Sequence, residues 1–139
     1  MEVVYGPYTI SDDKSRLDVD AVCAFLARSY WANQRPEERT RMAIEHSLCF
    51  GMYEQERLVG FARVVTDGAT IFYLCDVFID EAYRGQGLGK LLVETVLQAP
   101  ELAGINGLLG TRDAHTLYER YGFERDPDRF MRRPAAAKL

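Results

Sequence analysis

The sequence predicts a mixed α/β fold, one sheet with helices on both faces, on three observations. Ile71–Ile79 is almost entirely apolar on both of its alternating faces, as in a central strand covered from two sides. Gly85, Gly87 and Gly89 alternate just after it and lead into an amphipathic stretch, Gly87–Gln98, that stops before Pro100. Around these two segments the β-prone runs and helical periodicities follow the order β-α-α-β-β-β-α-β-α-β.

Tyr8-Thr9-Ile10 reads as a short extended segment. Asp18 or Asp20 can cap the first helix, whose apolar positions Val19, Val22, Cys23, Phe25, Leu26 and Tyr30 recur at helical spacing. Ser29–Arg35 reads as a loop, and Pro36 suits the start of a second, mostly exposed helix reaching His46. Leu48–Tyr53 and Leu58–Val65, joined by a polar turn, read as a hairpin, and Asp67-Gly68 turns the chain into the central run. After the amphipathic helix, Gly104–Gly110 reads as a strand. Asp113–Tyr121 follows as a short helix stopped by Gly122. Phe130 and Met131 suggest a last strand, and Pro134–Leu139 a frayed tail. Without an internal repeat or linker, residues 1–139 are expected to form one domain with its core at about 6–133.

Composition narrows the partners. A chain of 139 residues that is 47% hydrophobic can bury a core without metal or disulfide staples. Its formal charge of −4 disfavours nucleic acid, though not a local basic groove. Cys23, Cys49 and Cys75 are odd in number and form no CxxC pair, so neither a disulfide framework nor a zinc site is expected. No basic, apolar leader opens the chain, and no apolar run approaches the roughly 18 residues that span a bilayer. A soluble, cytoplasmic protein without metal or membrane contact is the expectation, with a homodimer left open.

The glycine turn carries the first chemistry. Glycine admits positive φ and close backbone approach to a ligand. The first amides of the following helix lack intrahelical partners and sit at the positive end of its dipole. Arg84 and Lys90 add full charges at the two ends of the turn, giving a site suited to a diphosphate. Leu91 stands where a Walker loop needs Ser or Thr, and Lys90 where a dinucleotide fingerprint needs its third glycine. Arg84, Gly87 and Gly89 instead satisfy Arg/Gln-x-x-Gly-x-Gly/Ala.

Val77–Gly89 thereby resembles the acetyl-CoA motif of the GNAT superfamily of N-acetyltransferases. Asp113–Phe123 resembles the family's A-x-x-L-Y-x-x-x-G-F segment, one helix and one strand further on. The resemblance covers roughly residues 6–133 and implies acetyl-CoA as co-substrate. It implies a central strand that splays from its neighbour, with Phe78 and Ile79 offering main-chain groups to the pantetheine arm. Backbone amides across Arg84, Gly85, Gln86, Gly87, Leu88, Gly89 and Lys90 would hold the pyrophosphate. Tyr118 takes the position of the family's proton donor to the leaving sulfur, with Tyr121 as the weaker candidate. Thr111 stands where many members carry an Asn that contacts the cofactor arm, so that contact is not assumed.

Acceptor residues follow less directly. Asp76 is the one charge in the central run, suited either to a catalytic part, binding the acceptor ammonium or accepting its proton, or to a structural pair with Arg63. Strict alternation would place Leu74, Asp76 and Phe78 on one face, and Tyr73, Cys75, Val77 and Ile79 on the other. Tyr30, Trp31 and Arg35 occupy the loop that lines the acceptor groove in related proteins and join Arg63, Tyr73 and Asp76 as candidates for acceptor contact. His46 and His115 stand alone and are expected to be structural. The function implied is acetyl transfer to a primary amine of a small molecule or peptide by direct attack. An acyl-CoA sensor of the same fold, without transfer, is the alternative.

Overall fold

In the computed structural model, which describes residues 1–136, the elements are β1 (Glu2–Tyr5), β2 (Tyr8–Ser11), α1 (Val19–Ala27), α2 (Glu37–Glu45), β3 (Leu48–Glu54), β4 (Arg57–Thr66), β5 (Ile71–Ile79), α3 (Leu88–Leu97), β6 (Asn106–Leu109) and α4 (His115–Glu119). They form a mixed sheet in the order β1-β2-β3-β4-β5-β6. Neighbours are antiparallel except β5 and β6, which α3 joins as a parallel pair.

Local chemistry explains the boundaries. Asp18 caps α1 by accepting the Ala21 N–H at 3.1 Å, while Asp20 pairs with Arg41 instead. Pro36, with φ −59° and ψ 144°, is the N-cap of α2. Each sheet face then receives its own layer. On one side Val22, Phe25 and Leu26 of α1 and Ile44 of α2 bury against Phe61 and Phe78. On the other, Leu88, Leu92 and Val96 of α3 pack on Phe50, Ala62, Val64, Phe72, Leu74 and Ile79. Among the described residues no helix is long and apolar enough to cross a membrane.

Three expectations are corrected. The N-terminus is a hairpin, because Val3 and Val4 pair with Ile10 and Thr9 across a turn at Gly6, whose φ is +56°. No strand forms at Phe130 and Met131, which are 54% and 99% exposed. Two apolar residues set among Arg129, Arg132 and Arg133 offer no alternating face to bury. The expected frayed tail at 134–139 is irregular through residue 136, and its last three residues lie outside those described.

The third correction reaches the site. Between the pairs Arg63↔Cys75 and Phe61↔Phe78, two β5 residues oppose one β4 residue, so β5 bulges at Asp76, whose φ is +53°. The extra residue reverses the alternation. Phe72 and Leu74 face the α3 layer before the bulge, Val77 and Ile79 face it afterwards, and Phe78 turns to the α1 layer.

Candidate active site

Beyond the bulge the sheet opens. β6 pairs with β5 only from Ile71↔Asn106 to Leu74↔Leu109, so among the described residues the outer edge of β5 from residue 75 onward has no strand beside it. The gap is the mouth of a cavity of about 620 Å³. Val77, Phe78 and Ile79 form its floor, and the glycine turn with Leu88 forms one end. Arg28–Trp31 form one wall, and Asp113, Ala114, Leu117 and Tyr118 form the other.

The glycine end is built for an anion. Gly85 and Gly87 have φ of +84° and +78°, and at neither would a Cβ meet an atom within 4 Å, so open space lies over the turn. Gly87 is the N-cap of α3, and no side chain among the described residues caps the helix. The amides of Leu88, Gly89 and Lys90 thus have no helical carbonyl to bond and lie at the positive end of the dipole. The turn is held from outside. Tyr8 donates to Gln86 Oε1 at 3.1 Å, Gln86 Nε2 donates to the Tyr83 carbonyl at 3.3 Å, and the Tyr83 hydroxyl donates to Glu54 at 2.8 Å. Arg84 Nε donates to the Ile79 carbonyl at 2.9 Å, and its guanidinium lies 4.8 Å from the Phe78 ring centroid.

Tyr118 lies across the cavity from β5, its ring wedged edge-on against Phe123, which packs edge-on against Phe72. Burial first, and then Tyr30 and Asp113, raise its hydroxyl pKa above the ordinary tyrosine value. At neutral pH it carries its proton and can donate it. Tyr121 does not line the cavity; its hydroxyl lies 3.5 Å from the Lys90 carbonyl and 3.4 Å from Glu94 Oε2.

Asp76 holds a different place from the one expected for an acceptor ligand. It is 4% exposed, does not line the cavity, and its oxygens are fully engaged. Oδ1 accepts from Trp31 Nε1 at 2.8 Å and Arg35 Nη2 at 3.2 Å, and Oδ2 from Arg35 Nη1 and Arg63 Nε, each at 2.9 Å. Burial alone would raise this carboxyl's pKa, but the Arg35 hydrogen bonds and the Arg63 and Arg35 charges outweigh it and hold the pKa below the usual carboxylate value. The pairing with Arg63 is therefore present, and Arg35 and Trp31 enlarge it into a clamp that ties the α1–α2 loop to the bulge. Arg63 also donates to Ser47 Oγ at 3.0 Å. Arg35, Arg63 and Tyr73 do not line the cavity, whereas Tyr30 and Trp31 do.

Thr111 is also turned to a structural task, its Oγ1 accepting the Ala114 N–H at 3.0 Å below α4. Of the expected co-substrate and proton-donor residues, Phe78, Ile79, Arg84, Gly85, Gly87, Leu88, Gly89 and Tyr118 line the cavity, while Gln86 and Lys90 do not. Seven lining residues were not among the expected site residues: Arg28, Ser29, Val77, Tyr83, Asp113, Ala114 and Leu117. Arg28 makes a two-pronged contact with Glu81 at 2.8 and 2.9 Å, a pairing 53 residues apart that no local pattern reveals.

An open strand edge that runs into an uncapped, glycine-led helix is what the family resemblance implies, and the comparisons agree. The model of the acetyltransferase (GNAT) domain matches residues 13–134. The chain belongs to the GNAT acetyltransferase family. A solved structure of a GNAT-family protein from Xanthomonas campestris is 41% identical, with a TM-score of 0.87 over 91% of this chain and 92% of that one. A provisionally named acetyltransferase of Gibberella zeae is 32% identical over 114 residues, which is 68% of this chain and 64% of the relative. The ribosomal-protein-S18-alanine N-acetyltransferase of Escherichia coli is 25% identical, with a TM-score of 0.71 over 86% of this chain and 79% of that one. The chain thus spans under two thirds of the fungal relative's length, and only 33% of a soybean relative named as a histone acetyltransferase.

Proposed function

We propose that the chain transfers an acetyl group from acetyl-CoA to a primary amine of a small molecule or peptide, by direct attack within a ternary complex. The observation that carries the reading is that the open edge of β5, the uncapped α3 amides and the Tyr118 side chain all border one cavity.

In this reading the Leu88, Gly89 and Lys90 amides, with Arg84 and Lys90 beside them, hold the diphosphate of the co-substrate. Gly85 and Gly87 admit it at close range, and the Tyr8–Gln86–Tyr83–Glu54 chain keeps the turn in shape. Phe78 and Ile79 offer the strand edge along which the pantetheine arm lies. A neutral amine attacks the thioester carbonyl carbon, forming the C–N bond and a tetrahedral oxyanion. As this collapses the C–S bond breaks, and the Tyr118 hydroxyl gives its proton to the departing sulfur. The surplus proton of the attacking nitrogen passes to water, from which Tyr118 is reprotonated. Backbone N–H groups near the bulge serve the oxyanion. Asp76 acts from behind, fixing Trp31 and hence the acceptor wall relative to the thioester.

Relatives that carry acceptor names differ widely, from histone to ribosomal alanine to serotonin, so kinship does not select the acceptor. A cavity lined by Tyr118 favours transfer over sensing, because a sensor needs no acid near sulfur. Incubation with acetyl-CoA and a panel of primary amines, monitoring free CoA thiol and acetylated product together, tests the reading. Product formation in step with thiol release is expected. CoA binding without product from any amine would favour the sensor.

A further inference from the structure

One side chain crosses between the two walls of the cavity. Tyr30 belongs to the α1–α2 loop, and its hydroxyl accepts the Arg112 N–H, from the loop between β6 and α4, at 3.2 Å. The Arg112 guanidinium lies 3.8 Å from the centroid of the same ring. Among the described residues this is the one hydrogen bond or ion pair that joins residues 28–35 to residues 110–118. Arg28, on the same wall as Tyr30, is tied instead to Glu81, which follows β5.

The two ends of the link are held unequally. Trp31, next in sequence, is anchored by its Nε1 bond to the buried Asp76 at 2.8 Å and packs edge-on against Phe78. Tyr30 is 43% exposed, Arg112 is exposed, and among the described residues the Arg112 guanidinium makes no hydrogen bond or ion pair. Contacts of this kind are weak, because water competes for both partners. The loop is therefore pinned at Trp31 and lightly held at Tyr30. Burial first, and then Tyr30, raises the Tyr118 hydroxyl pKa, so Tyr30 lies close to the proton donor. Both tyrosines border the cavity, and in the reading above the thioester carbonyl sits between Tyr118 and the bulge. A ring across that point keeps water from the thioester, and an amine passes only where the ring gives way.

We propose that Tyr30 and Arg112 form a gate on the acceptor side of the cavity: shut, it shields the thioester from water, and the acceptor enters by lifting Tyr30 from Arg112. This rests on the acetyl-transfer reading above, and Arg112 is in it a positioning residue that acts through Tyr30. An enzyme held mostly shut binds its acceptor with an apparent affinity reduced to the open fraction, so loosening the gate improves acceptor capture. It also admits water, which attacks the acetyl carbonyl carbon. A C–O bond then replaces the C–S bond, giving acetate and the free CoA thiol. One water proton restores the Tyr118 that protonated the sulfur, and the other passes to solvent.

The test compares wild type with Arg112→Ala, which keeps the backbone N–H but removes the stacked cation, and with Arg112→Lys, which keeps a cation. Trp31 is the chain's one tryptophan, so acrylamide quenching of its fluorescence reads gate opening without any acceptor. Arg112→Ala should raise the quenching constant. It should also raise acetyl-CoA hydrolysis without amine, and kcat/KM for the amine acetylated fastest in the panel above, each by about two- to five-fold, the weight of one exposed cation–π contact. CoA affinity should not change, and Arg112→Lys should stay near wild type. Unchanged quenching, unchanged hydrolysis or a lower amine kcat/KM in Arg112→Ala would each overturn the gate and leave acetyl transfer intact. Raised quenching and hydrolysis with no amine acetylated would support the gate and remove the transfer reading.

Discussion

Replacing Asp76 with Asn removes one charge and changes little else, since asparagine tolerates the left-handed backbone that φ +53° demands. The native cluster sets two guanidinium groups against one carboxylate, with Arg63 and Arg35 side chains 13% and 26% exposed. In the variant one amide oxygen still accepts, but the amide NH₂ must face either the Arg35–Arg63 pair of donors or the Trp31–Arg35 pair. Breaking a buried pair by removing one partner costs about 3–5 kcal/mol, and water access at Arg35 places this case near the lower end, ~3 kcal/mol. For a domain of this size that is a fall in Tm of roughly 10 °C. Thermal unfolding followed by circular dichroism reads it directly. The loop bearing Trp31 should loosen as well, raising KM for the amine while CoA affinity stays close to wild type. A variant that melts within 2 °C of wild type yet has lost turnover would refute the clamp and make Asp76 a direct participant in the chemistry.

Tyr118→Phe keeps the packing against Phe123, so stability should change by no more than about 1.5 kcal/mol, while kcat falls roughly 10²-fold with CoA affinity unchanged. Unaltered kcat, with chemistry shown to be rate-limiting in a pre-steady-state assay, would assign the proton to water or another group. The Asp76 carboxyl has a folded-state pKa below its unfolded value of about 3.9, so its pairing adds stability that is complete above that value and is lost as pH falls through the folded one. Tm measured against pH should therefore decline below about pH 4 in wild type, and more shallowly in Asp76→Asn; parallel curves would assign acid sensitivity to other carboxylates.

The parts of the fold that could be read from sequence are those where one pattern decides the outcome. Ile71–Ile79 stood out as one nearly continuous apolar run and β5 has those bounds, although the expected cover on both faces is incomplete, with Ile71 and Tyr73 41% and 44% exposed. The glycine turn was legible because only glycine suits φ near +80° at Gly85 and Gly87. The N-terminal hairpin was missed although Glu2–Tyr5 carries two valines and a tyrosine, because a four-residue edge strand has too few alternations to stand out. The bulge was hidden for a physical reason: one extra residue reverses side-chain parity without altering composition. Asp76 therefore looked like a charge on a regular strand, when its backbone turns it toward Arg35 and Trp31. Those partners lie 41 and 45 residues away, and tertiary packing alone brings them together. Asp113 was read as the start of a helix, and only the folded wall makes it a lining charge.

The central claim is that CoA is held by the α3 amides at the glycine turn, and titration calorimetry of CoA into wild type, Gly87→Ala and Gly87→Glu tests it most directly. Both substitutions carry the same penalty for a side chain at φ +78°, roughly 1–2 kcal/mol, so comparing them separates backbone strain from the added bulk and charge. Wild type should bind one CoA per chain, Gly87→Ala should bind more weakly, and Gly87→Glu, which sets a carboxylate against the diphosphate, should show no measurable binding. Gly87→Glu binding CoA as tightly as Gly87→Ala, or wild type not binding it at all, would contradict the account.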